Sequence, residues 1–188
     1  MALRWPWLVF AAVGLGAMST KRQQPDRAQR ERMIALIRRI ATELGIAPAV
    51  ALAFAEVESN FNPAARGDMQ WAERKPELYR KLVVEKLATN PYRHDPSVWH
   101  SYGLYQLLAP YHVQLSEHPH ILLDPEVNAR RGIAYLARLQ RQTGGDVAAM
   151  RLAYIGCGAD GKRCSEAVTT AALERFAPIY QRWSEGRA

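Results

Sequence analysis

A chain of 188 residues has the length of one ordinary domain, and 48% hydrophobic with 23% charged residues is a balance that builds a packed core and excludes intrinsic disorder. The 25 Lys and Arg outnumber the 18 Asp and Glu, and the net charge of +7 favours anionic partners: nucleic acid, acidic lipid or an anionic cell-wall polymer. Beyond KRQQPDRAQRER the basic residues form no dense run and no nucleic-acid signature is present, so nucleic acid is not the expected partner.

The first 20 residues, MALRWPWLVFAAVGLGAMST, carry only Arg4 before an uncharged stretch from Trp5 to Thr20. That stretch is slightly short of the ~20 apolar residues of a bilayer-crossing helix. Arg4, the apolar centre and the small Ala17 and Ser19 equally fit an export signal. Residues 1–22 are expected to be a membrane anchor or signal segment, and residues 23–188 the domain behind it. Lys21, Arg22, Arg27, Arg30 and Arg32 follow, and positive charge tends to stay on the cytoplasmic side, so the topology is open.

From residue 25 onward the pattern is helical. PDRAQRERMIALIRRIATELG repeats its apolar residues at Met33, Ile34, Ile37, Ile40, Ala41 and Leu44, with Asp26 as a cap and Gly45 as the stop. PAVALAFAEVES, opened by Pro48, is apolar on nearly every side and reads as a central, buried helix. RKPELYRKLVVEKLA sets Leu78, Leu82, Val83 and Leu87 on one stripe. DPEVNARRGIAYLARLQRQTGG has Asp124 as cap, Pro125 in the first turn and glycines at its end. Asp146 opens VAAMRLAY, and SEAVTTAALERFAPIYQRW follows, where Pro178 is expected to bend or split the helix. Residues 89–124 read as loops, and no alternating strand run of useful length appears. The expectation is one all-α domain.

AEVESNFNP, residues 55–63, places Glu56 and Glu58 two positions apart on the central helix. Helical residues turn by about 100° each, so the two carboxyls point to nearly opposite sides and form no paired acid. Glu58 stands at the helix end, where a cleft can open. A carboxyl pressed against apolar groups there loses hydration and holds its proton more tightly, as a general acid must. Read from the helix pattern alone, two partnered or surface glutamates are the more ordinary outcome.

Tyr92, Trp99, Tyr102, Tyr105 and Tyr111 crowd the loop region. Their rings suit stacking on sugars, though at least half of them are expected to fill core, as are Phe176, Tyr180 and Trp183. Cys157 and Cys164 are the only cysteines, and their short loop of small residues allows a disulfide that export would favour. Free thiols are the alternative in a cytoplasm. The five histidines are scattered, and neither a metal nor an organic cofactor is expected.

Three motifs in order carry a family resemblance. ESNFNP resembles the E-S-x-F-x-P signature of lytic transglycosylases with the goose-type lysozyme fold. YGLYQLL is similar to that family's G-L-M-Q motif at Gly103, Leu104 and Gln106, with Tyr105 where Met is usual. LAYIGCG is similar to its A-Y-N-x-G motif at Ala153 and Tyr154, with Ile155 in place of Asn. The resemblance covers roughly residues 33–158 and implies a lysozyme-like (goose-type or SLT) helical domain that cleaves the MurNAc-β-1,4-GlcNAc bond of peptidoglycan to a 1,6-anhydroMurNAc end. It implies Glu58 as the single acid and base, Ser59 holding its carboxyl and Tyr154 hydrogen-bonding near it. Gly103, Leu104, Tyr105 and Gln106 would line the sugar groove, and Glu56 has no counterpart role beyond structure.

A hydrolytic muramidase is the second reading, with Asp68 or Glu73 as its further carboxylate, although both read better as solvated surface. A non-catalytic, membrane-tethered glycan-binding or assembly protein is the third. The expected partners are peptidoglycan strands and, through the N-terminal segment, a membrane. The expected setting is either the bacterial envelope, with a secretion machine, or a phage virion whose ejection proteins reach the host envelope.

Overall fold

The computed structural model describes residues 25–187 except Met69. The segment expected over residues 1–22 lies outside the described residues, and among those described no helix is long and apolar enough to cross a membrane.

Asp26 accepts the backbone N–H of Gln29 at 2.7 Å and opens helix α1, Arg27–Glu43, as its place ahead of the periodic run predicts. Met33, Ile37, Ile40 and Ala41 form its buried stripe, while Leu44 lies exposed just past the helix end. Gly45, at φ 69°, turns the chain into α2, Pro48–Ser59. Every residue from Val50 to Ala55 is buried, as are Val57 and Ser59, so α2 is the central helix the sequence predicts.

Between residues 66 and 123 the elements are short. They are β1 (Arg66–Gly67), α3 (Trp71–Arg74), α4 (Pro76–Tyr79) leading into a π turn (Arg80–Glu85), a 3-10 turn (Pro96–Val98), β2 (Ser101–Tyr102), β3 (Leu107–Leu108), α5 (Ala109–His112) and a 3-10 turn (Pro119–Leu123). The strands pair antiparallel in the order β1-β2-β3, with Arg66 opposite Tyr102 and Ser101 opposite Leu108. No strand is expected here from the sequence, because two-residue strands leave no alternating pattern to read. The single helix expected over 74–88 is interrupted: the wider π turn shifts the inward face, so Val83 and Leu87 are buried while Leu78 and Leu82 are only partly covered.

Asp124 Oδ1 accepts from the N–H groups of Glu126 and Val127, both at 2.9 Å, and starts α6, Pro125–Thr143, which ends on left-handed Gly144. Asp146 caps α7, Val147–Tyr154, through the Ala149 N–H at 3.0 Å. Helix α8, Glu166–Ser184, runs unbroken past Pro178, so the expected split does not occur. Pro178 and Glu174 are both exposed, and the Glu174 carbonyl that proline leaves without a donor is free to meet water.

In the assembled core α2 packs against α8 and α1, α6 against α1 and α7, and α7 against α8. Trp99, Tyr102 and Tyr105 belong to this core, fully buried, whereas Tyr92 is half-buried and Tyr111 is exposed. Phe176 and Trp183 are buried and Tyr180 packs against the core from its edge. Cys157 and Cys164 form a disulfide directly after α7. Closing so short a loop contributes about 2–3 kcal/mol in the chain-entropy picture.

Candidate active site

The end of α2 is built by its own sequence. Ser59 stays buried and donates to the Ala55 carbonyl at 3.1 Å and to the Leu104 carbonyl at 2.9 Å. Asn60 and Phe61 both take positive φ, 54° and 61°, which stops the helix and reverses the chain. The reversal sends Phe61 into the core, edge-on to Trp183 at 5.9 Å and beneath the Arg30 guanidinium at 4.8 Å. Glu58 is thereby left at the rim, its side chain 17% exposed.

The second motif closes on this helix end from the other side. Gly103, at φ 71°, donates its N–H to the Ala65 carbonyl at 2.8 Å, and a Cβ there would lie 2.4 Å from Asn128 Nδ2, so no side chain fits. Asn128, fully buried on α6, donates to the carbonyls of Tyr102 (2.8 Å) and Leu122 (2.9 Å) and accepts from the Tyr105 N–H (3.0 Å). Tyr105 lies over Gly132 of α6, where a Cβ would come within 2.4 Å of its ring, and its hydroxyl donates to the Ala51 carbonyl of α2 at 3.0 Å. A tyrosine in place of the family's methionine therefore fits because α6 carries a glycine beneath it. Burial pushes that hydroxyl well above the ordinary tyrosine range.

Helix α7 supplies the third side. Tyr154 donates its hydroxyl to the Tyr105 carbonyl, not to Glu58. Burial first, and then the Glu58 charge, push its pKa well above the ordinary value. Arg151, one turn earlier, donates from Nη1 to Glu58 Oε1. The carboxyl thus has a cationic neighbour: Glu58 is a partnered glutamate, the more ordinary of the two outcomes read from the helix pattern, and not one pressed against apolar groups alone.

Of the expected site residues, the structure brings Glu58, Ser59, Gly103, Leu104, Tyr105, Gln106 and Tyr154 into one region of three elements. Their expected roles divide. Ser59 binds backbone rather than the Glu58 carboxyl, and Gly103, Leu104 and Tyr105 are buried, so of the four residues Gly103 to Gln106 only Gln106 is partly exposed. Gln106 sits at φ 45°, donates to the Gly103 carbonyl at 3.0 Å and places Oε1 where a Cβ on Gly67 would lie, 2.3 Å away. Ile155, in the place of the family's Asn, is partly exposed.

The other carboxylates of the region are engaged elsewhere. Glu56 accepts from Arg182 (2.5 Å) and the Trp183 indole N–H (2.6 Å), with Arg30 at 3.7 Å. Asp68 accepts from the Ser101 hydroxyl at 2.8 Å and pairs with Arg74 at 3.7 Å, and Glu73 is exposed. No group of three His, Cys, Asp or Glu among the described residues could hold a metal ion.

Sequence reasoning passed over Asn128, Gly132 and Arg151. Each left a signal: Asn128 and Gly132 are four apart on the apolar face of α6, and Arg151 is the only charge in an otherwise apolar eight-residue helix. A polar or missing side chain on a core stripe marks a position where the fold needs something other than packing.

A buried central helix that ends in one carboxylate, closed by a hairpin and a second helix, defines a lysozyme-like helical domain. The family described as Transglycosylase SLT domain matches residues 35–173, well over half of the chain, and the chain belongs to that family, whose members are lytic transglycosylases acting on peptidoglycan in the cell envelope. No curated protein and no solved structure matches the chain.

Proposed function

We propose that the protein cleaves the MurNAc-β-1,4-GlcNAc bond of peptidoglycan as a lytic transglycosylase, with Glu58 as its single acid and base. The observation that carries this reading is the isolation of Glu58 from other carboxylates. Glu56 is bound on the α8 side, Asp68 is held by Ser101 and Arg74, and neither makes a contact with Glu58. Most glycosidases that add water use two carboxylates across the bond. One carboxylate suffices when the substrate brings its own nucleophile.

In the first step Glu58 gives its proton to the glycosidic oxygen as the C1–O bond of N-acetylmuramic acid breaks, and the N-acetylglucosamine side leaves as an alcohol. In the second step the C6 hydroxyl oxygen of the same muramic acid bonds to C1, and its proton returns to Glu58. No water is consumed and the catalyst ends as it began. Gln106, the partly exposed side chain of the second motif, faces the sugar in this reading, and Tyr154 supports the hairpin through the Tyr105 carbonyl. The disulfide suits an oxidising compartment, and an envelope or virion-delivered setting follows from the substrate.

Mass spectrometry of purified peptidoglycan digested by the wild type and by Glu58→Gln tests this. Anhydro-muropeptides from the wild type, with Glu58→Gln reduced about 10²–10⁴-fold, are the expected result. Reducing-end products would make the enzyme a hydrolase. Wall binding without any soluble product would make it a glycan-binding module.

A further inference from the structure

Arg151 is 7% exposed, yet the only hydrogen-bond partner of its guanidinium among the described residues is Glu58, through Nη1 and Oε1. Its Nε is buried with no partner. The rest of the guanidinium is held by rings: its carbon lies 5.9 Å from the Phe54 centroid on α2 and 5.8 Å from the Phe176 centroid on α8, and those two rings meet edge-on at 4.9 Å.

Stability alone does not explain a charge in this place. A buried ion pair is often no better than well-packed apolar side chains of the same volume, and a buried N–H left without a partner is unfavourable in itself. The aromatic slot would take a methionine equally well. What a methionine would not do is hold one oxygen of Glu58. Oε1 is taken by Arg151, whereas Oε2 has no hydrogen-bond partner among the described residues.

We propose that Arg151 is a positioning residue for the reaction: through Oε1 it fixes the Glu58 carboxyl and reserves Oε2 as the atom that both delivers and recovers the proton. The inference rests on the reading of Glu58 as acid and base. When Oε2 gives its proton to the glycosidic oxygen, negative charge develops on the carboxyl beside a fixed cation. The attraction is therefore stronger in the transition state of this first proton transfer than with the protonated acid, and it lowers that step's barrier instead of tightening substrate binding. Arg151 takes no part in either proton transfer. The unsatisfied Nε fits a guanidinium placed to serve a single carboxylate.

The test measures kcat and KM for anhydro-end formation on purified glycan strands, with thermal unfolding, for full-length wild type, Arg151→Met, Arg151→Lys and Glu58→Gln. Arg151→Met is expected to lower kcat about 10–100-fold, with KM within about twofold, the protein still folded at the assay temperature although its Tm falls, and anhydro ends still the product. Arg151→Lys, which keeps the charge but not the fork, recovers part of that loss. Should the methionine variant fold poorly, Arg151→Gln carries the same comparison.

A folded neutral variant with wild-type kcat, or a loss that appears in KM alone, overturns the proposal. So does a loss of kcat that follows a fall in Tm and is not relieved by lysine. An active Glu58→Gln would instead overturn the reading of Glu58. An inert Glu58→Gln beside an unaffected Arg151→Met would overturn only the role given to Arg151.

Discussion

The helices α1, α2 and α6–α8 are closed mainly by apolar side chains, whereas the segment from Pro63 to Asp124 adds to its buried Val83, Leu87, Trp99 and Leu107 a set of polar side chains bonded to backbone. In the first region Ile37, Ile40, Leu52, Phe54, Ile133 and Leu136 are buried with little exposure. In the second, the Tyr79 hydroxyl donates to the Arg93 carbonyl (2.5 Å), Asn90 Nδ2 to the Glu117 carbonyl (3.0 Å), the Trp99 indole to the Tyr92 carbonyl (3.0 Å) and the Tyr102 hydroxyl to the Val98 carbonyl (2.8 Å). Long helices satisfy their own backbone and need only a face to bury. A chain of two- to six-residue elements leaves N–H and C=O groups that side chains must meet. The candidate site lies where the two regions join, so its geometry depends on both kinds of closure.

Asn128 is the strongest link between them, and its loss is the sharpest way to break the comparison. Asn128→Ala leaves the carbonyls of Tyr102 and Leu122 and the N–H of Tyr105 without their partner in a buried place. At roughly 1 kcal/mol or more for each group, the expected cost is about 3–4 kcal/mol. Hydrogen exchange should show the β2–β3 hairpin losing protection while α2 keeps its own. Uniform loss across both regions would mean that they do not differ in the way described.

A second prediction uses pH to loosen the same segment. His112 packs its ring on Tyr135 of α6 at 5.5 Å, and Arg131 donates to its carbonyl at 2.5 Å. Burial, then the charges of Arg138 and Arg131, lower its pKa from the ordinary 6.5 to about 4. The folded protein therefore keeps His112 neutral while the unfolded chain takes up the proton. Its contribution is complete above pH 6.5 and is lost as the pH falls toward 4, by about 2–3 kcal/mol. His100 and His120, also lowered first by burial, act in the same direction. Tm measured between pH 6.5 and 4.5 should fall in the wild type and fall distinctly less in His112→Gln. An unchanged slope in the variant would remove His112 from the account.

The same division decides what was legible in the sequence. The apolar repeats of α1 and α6, the aspartate caps of α1, α6 and α7 and the terminal glycines of α1 and α6 are local signals, and each helix lies where they place it. The carboxylate at the end of α2 was legible because a fully apolar helix makes two glutamates conspicuous. The three-stranded sheet was not, since its pairing is set by the hairpin, by Asn128 and by the Ser101–Asp68 bond rather than by any pattern within two residues. Arg151 was missed for a related reason. Its meaning comes from Glu58, 93 residues earlier, and nothing local in VAAMRLAY announces that partner.

The smallest expected effect concerns the other glutamate. Glu56 lies two residues from Glu58 on the same helix, but it joins α2 to α8 through Arg182 and Trp183 and to α1 through Arg30, entirely within the helical region. Its side chain is 14% exposed, so the two glutamates are nearly equally covered and burial does not tell them apart. What separates them is the 200° of helical rotation between them, which gives Glu56 two donors, Arg182 and Trp183, with the Arg30 charge beyond, and gives Glu58 the single cation Arg151. Glu56→Gln keeps an acceptor for the indole and loses the charge opposite Arg182, which should cost about 1 kcal/mol. Anhydro-muropeptide formation should stay at the wild-type rate once temperature is set well below the lowered Tm. A loss of kcat in Glu56→Gln as deep as that in Glu58→Gln, at unchanged stability, would mean that the two faces of α2 are not separate and that the single-carboxylate account is wrong.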